Sequence, residues 1–103
     1  MFEPKKESIL AEAERVIYGD REKTYGSPGK NLTNIAQLWE MYLRGRGLLD
    51  ENSSGVFHYD VANMMILLKI ARLANNPGHR DSLVDIAGYA ALVDRIEQEK
   101  SGG

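Results

Sequence analysis

Apolar side chains recur at steps of three and four along four stretches of the chain, and no stretch makes a convincing strand. In the first, Ile9, Leu10, Ala13, Val16 and Ile17 share one face while Lys6, Glu7, Glu12, Glu14 and Arg15 take the other. This predicts a helix that begins near Pro4, a suitable first-turn residue, and is stopped by Gly19. A second helix is expected from Lys30 or Asn31 to Arg44, with Leu32, Ile35, Ala36, Leu38, Trp39, Tyr42 and Leu43 on its apolar side and Gly45 and Gly47 ending it. Trp39 and Tyr42 read as core. The turn formers of "GLLDENSSGVFHYD" make a surface connector.

The third stretch, "YDVANMMILLKIARLANN", has almost no polar face, so it predicts a helix covered all round, by its siblings or across an oligomer interface. Asn75-Asn76-Pro77-Gly78 ends it. The fourth, "DSLVDIAGYAALVDRIEQEK", starts at Asp81, a cap or first-turn acid. A short turn makes the last two helices an antiparallel hairpin. The fold class expected is all-α: one compact, four-helix bundle-like domain over residues 5–99, with 100–103 as a frayed tail.

With 103 residues the chain has room for one core. Its formal charge of -2 gives no field to draw it onto duplex nucleic acid or an anionic membrane, so any phosphate binding must be local. The absence of cysteine excludes disulfides, thiolate metal sites and cysteine nucleophiles. No apolar run reaches the roughly 20 residues of a membrane span. These features lead to the expectation of a cytosolic protein.

Polar residues within the two apolar helices carry the candidate chemistry, because each must be satisfied where it sits. Lys69, Arg72 and Asn76 form one stripe on the third helix; Asp81, Asp85 and Tyr89 form one on the fourth, beside Gly88, which permits close approach of a backbone or a ligand. Counted outward from Pro77, Arg72 falls opposite Asp81 to Asp85, with Lys69 a turn deeper. Two cations therefore face two carboxylates across a seam. Such charges fix the register of a hairpin, or they serve a ligand, the acids holding a divalent metal and the cations meeting phosphate oxygens. Asp60, near the start of the third helix, complements the helix dipole; as a metal ligand it would need another helix or subunit to bring it to the seam. His58 and His79 have no metal-ligand spacing and each lies in or near a turn; His79 reads as a solvent-exposed turn residue, although with Arg80 it is placed to meet an anion at a helix start. The loop "REKTYGSPGKN" adds Arg21, Lys23 and Lys30 around Tyr25 and two glycines. Its backbone donors, positive charge and aromatic face suit a nucleotide, and Tyr25, Lys23 and Arg21 are expected to close over the seam as a lid. It lacks the lysine-serine/threonine ending of a P-loop.

From Ile9 to Ile96, the strings "YG", "NLTNIAQLW", "DVANMMILLKIARL" and "DSLVDIAGYAALV" resemble a family of small phage and prophage proteins of uncharacterised function. That family is similar in turn to MazG-type all-α nucleoside triphosphate pyrophosphohydrolases and to the nucleotide-modification-associated helical domains of phages. The resemblance implies a nucleotide-binding protein in the cytoplasm of an infected or lysogenic bacterial host. It also implies magnesium held by acids on adjacent helices, here Asp60, Asp81 and Asp85. The chain departs from that pattern: Asp60 and Asn63 stand where two adjacent glutamates and a third belong, and Ser82 stands three places before Asp85, with Asp81 one place off. Lys69 and Arg72 without a full acidic cage fit phosphate binding better than hydrolysis. Three readings follow: a magnesium-dependent nucleotide pyrophosphohydrolase with a reduced site, a non-catalytic protein sequestering a signalling nucleotide in counter-defence, and a structural helical protein. Association into a homo-oligomer is expected.

Overall fold

A computed structural model describes residues 7–19 and 27–102, all but 28, 101 and 102 with their side chains. The four helices are α1 (Ile9–Tyr18), α2 (Pro28–Gly45), α3 (His58–Asn75) and α4 (Arg80–Gly102), and no strand occurs among the described residues. The all-α class and the α3–α4 hairpin are as the sequence predicts.

Two boundaries move because of caps. Helix α1 starts at Ile9, not near Pro4, since the Ser8 hydroxyl accepts the Ala11 N–H at 3.0 Å and Ser8 itself is extended. Helix α2 begins at Pro28, ahead of Lys30: Ser27 accepts the Lys30 N–H at 3.4 Å, and a proline in the first turn lacks only a donor that would have no helical partner. The "SPG" of the loop is thus a cap and a first turn. Helical geometry in α4 continues to Gly102, through residues whose composition marks a tail.

Helix α4 is the axis of the molecule. It packs against α3, against α1 and, near its end, against α2. Arg80 at its start binds Glu12 at 3.4 Å and the Glu7 carbonyl, while Arg95 donates to the Ile17 carbonyl at 3.3 Å and lies over the Tyr18 ring. Those contacts run α1 parallel to α4 and seat Ala13 and Ile17 beside Val84 and Leu92, all buried. A second cluster, Leu32, Ala36, Val61, Ala62 and Ile96, joins α2 to the first half of α3 and the end of α4. Since α1 and α2 cover different stretches, the molecule is long and flat, 63 × 39 × 22 Å, its thin dimension about two helix diameters. Its radius of gyration is 16.2 Å, against about 13 Å for a spherical chain of this length.

Of the two ways of covering helix α3, its sibling helices supply only one side. Val61, Ala62, Met65, Lys69 and Leu73 face the core, but Met64, Leu67, Leu68, Ile70 and Ala71 are exposed in the single chain. Tyr42, expected in the core, is exposed as well, while Trp39 packs against the second cluster.

Candidate functional site

The connection into α3 is clasped more firmly than its turn-forming sequence suggests. The Glu40 carboxylate accepts the Val56 N–H at 2.8 Å and pairs with Arg44 at 3.0 Å; Arg44 in turn donates to the carbonyls of Asp50 and Ser53 at 2.6 and 3.2 Å. The Val56 N–H, and next the Arg44 guanidinium, hold the Glu40 carboxyl below its ordinary value. Gly55, at φ 101°, passes close to that carboxylate, where a side chain would be strained and would collide. Asp60 closes the first turn of α3 by accepting the Phe57 N–H at 2.9 Å, the helix-terminal role its position predicts. His58, next to the connector as its position predicts, is buried in the first turn of α3, and its Nε2 lies 2.7 Å from Glu97, tying the start of α3 to the end of α4.

At the opposite end of the hairpin, His79 is half-buried. Its Nδ1 lies 2.8 Å from the hydroxyl of the fully buried Ser82 and accepts the Ser82 N–H at 3.4 Å. An imidazole thus serves as the cap of α4, rather than as an exposed anion contact.

Between these ends lies the predicted seam. Lys69 Nζ sits 2.9 Å from Asp85 Oδ2, with the lysine side chain 12% and the aspartate 39% exposed. One cross-seam pair forms, not two. Arg72, one turn nearer the hairpin turn, is exposed, and its side chain has no ion pair or hydrogen bond among the described residues; Asp81 is exposed in the first turn of α4. Arg72, Asn75, Asn76 and His79 line an open polar hollow at the turn. Toward α1, Gly88 and Tyr89, with Asp85 between the two sides, border a cleft against Ala13, Val16 and Ile17. A Cβ on Gly88 would lie 3.6 Å from Ile17 Cγ2, so what approaches this glycine is a side chain of α1, at ordinary contact distance.

Among the described residues no three of His, Asp and Glu come together as a metal site. Asp60 is engaged at the far end of the hairpin and Asp85 already carries Lys69. The described acids of one chain therefore do not fit a magnesium cage. Arg21, Lys23 and Tyr25, the expected lid, lie outside the described residues.

A family model described as a domain of unknown function, DUF6378, matches residues 8–97. The chain belongs to the DUF6378 family. The match spans the molecule from the Ser8 cap to the Glu97 that holds His58. Two Gene 55 proteins are similar to this DUF6378 chain. That of Mycobacterium phage D29 is 47% identical over 97 residues, covering 94% of this chain and 58% of the relative. That of Mycobacterium phage L5 is 46% identical over 90 residues, covering 87% and 53%. The chain thus spans little more than half the length of these relatives. No solved structure matches. The expectation of a phage-type family holds; the finer likeness to MazG-type enzymes rests on the sequence strings alone. No helix among the described residues is long and apolar enough to cross a membrane.

Proposed function

We propose that this protein binds the phosphates of a nucleotide, or of a similar phosphorylated small molecule, at the α3–α4 seam, without hydrolysing it. The observation that carries this reading is the stripe of two cations on α3: Lys69 held in the seam by Asp85, and Arg72 exposed beside it at the mouth of a polar hollow. An ammonium has three donors, and Asp85 occupies one, so Lys69 keeps capacity for a phosphate oxygen. Arg72 offers a planar fork suited to the same group. Asn75 and Asn76 supply neutral donors at the rim. Binding is favoured over pyrophosphohydrolysis because the acids that magnesium chemistry needs are divided between two ends of the hairpin.

Thermal unfolding of the pure protein against linear and cyclic nucleotides, in the presence of a chelator, tests this. A ligand of the native state raises the melting temperature progressively with its concentration. Arg72→Ala should weaken the responding ligand about tenfold or more, as expected for a lost charged hydrogen bond. Glu51→Ala, on the exposed connector, should leave it unchanged. The ligand should be recovered intact after denaturation. No shift with any nucleotide overturns the binding reading, and release of pyrophosphate once magnesium is added overturns the non-catalytic one.

A further inference from the structure

Helices α2 and α3 carry a contiguous apolar face that nothing among the described residues covers. Leu38, Met41 and Tyr42 on α2, with Met64, Leu67 and Leu68 on α3, are each between 44% and 70% exposed. Tyr42 and Met64 line one groove with Trp39 and Leu43, which makes the face continuous from one helix to the other. Its extension along α3 arises because α2 packs on the first half of that helix, at Val61 and Ala62, and α1 packs on α4. The outer side of the second half of α3 has no neighbour among the described residues.

We infer that this face joins a second copy of the chain about a two-fold axis. Area is the first argument. With roughly 100 Å² open on each of these six side chains, one subunit would bury on the order of 600 Å², and the pair about 1,200 Å², within the range of a specific dimer. A monomer seldom exposes a larger apolar patch than this.

Charge is the second argument and selects the occupant. A two-fold axis sets a patch against itself, so any charge near its centre meets its like. None of the six residues is charged, and Asn34, Gln37 and Asn63 beside them are neutral; the charges Asp60, Arg44 and Arg72 stand at the margin, each one turn from Met64, Met41 or Leu68. The Lys69–Asp85 pair lies on the α4 side of α3, away from the six residues, while Arg72, one turn on from Leu68, stands at the edge of the face beside the hollow at the turn. This inference stands independently of what the seam binds.

Sedimentation velocity of the full chain over a wide concentration range tests it. The expected mass is two chains, or a multiple of two. Met41→Glu and Leu67→Glu, on different helices and both exposed in the single chain, should each reduce it to one chain with the helical circular dichroism retained. Leu10→Glu, exposed on α1 away from the face, should leave the assembly intact. If the acidic variants do not fold, the lack of natural cysteine allows a second route. A single thiol from Met64→Cys, treated with a bismaleimide long enough to span the patch, should yield covalent chain pairs, and one from Leu10→Cys should not. A wild-type mass of one chain at every concentration, an assembly that survives both acidic substitutions, or the absence of pairs from Met64→Cys overturns the inference.

Discussion

Helices α3 and α4 form one hairpin, yet their composition and their surroundings run in opposite directions. Helix α3 is the more apolar and has an open outer side; α4 is rich in charge, and neighbours pack on most of its length. Apolar content thus shows that a surface must be covered, but not by what. The charges of α4 are spent at its edges, where Arg80 and Arg95 fasten α1 and Asp85 and Glu97 fasten α3, so a polar sequence supports a central helix. The apolar sequence of α3 exceeds what the other described residues cover.

The largest effect that separates the two helices is a core truncation. Leu92→Ala on α4, where the side chain is 1% exposed, should cost about 2–5 kcal/mol in denaturant unfolding. Leu67→Ala on the outer side of α3 should change the stability of dilute protein by no more than about 0.5 kcal/mol. Equal losses would erase the contrast. Next comes the attachment of α3 to α2. Gly55→Ala forces a side chain into a left-handed backbone against the Glu40 carboxylate, and should lower stability by more than about 1 kcal/mol.

The seam gives a smaller number. A double-mutant cycle with Lys69→Ala and Asp85→Ala should return a coupling of about 1 kcal/mol, since the carboxylate is partly solvated and screened. A coupling near zero would mean that the pair does not set the register of the hairpin. Smallest in reach is the acid dependence of the Glu40 clasp. Its folded carboxyl lies below the ordinary value of 4.5, so its contribution is complete above that pH and is lost as pH falls through the folded value. The wild type should therefore lose melting temperature on acidification below about pH 4.5 more steeply than Glu40→Gln. Parallel curves would show that the clasp contributes nothing to the acid limb.

What the sequence reveals follows the range of the interactions. The four helices and the Lys69–Asp85 pair are legible because apolar spacing is local and the hairpin turn at Pro77 lets positions be counted outward on both arms. Asp60 is legible for the same reason: its partner is three residues away. The Glu40–Val56 bond spans 16 residues and the His58–Glu97 bond 39, and no local pattern announces either. His79 misleads because imidazole is an uncommon cap. Only its neighbour Ser82, a small polar residue three places on, hints at the bond. The exposure of Tyr42 and of the outer side of α3 depends on where α2 and α1 come to rest, a tertiary outcome that periodicity does not carry.

The central claim is that α3 presents a cationic stripe for phosphate on the side of the hairpin seam and leaves its apolar outer side for association. Amide chemical-shift mapping of isotopically labelled protein during titration with the nucleotide that gives the largest thermal shift tests it most directly. The account predicts perturbations gathered at Lys69, Arg72, Asn76, His79 and Asp81, with Leu38, Met41 and Met64 unmoved. Perturbations centred on those three outer residues, or none at saturating nucleotide, would contradict it.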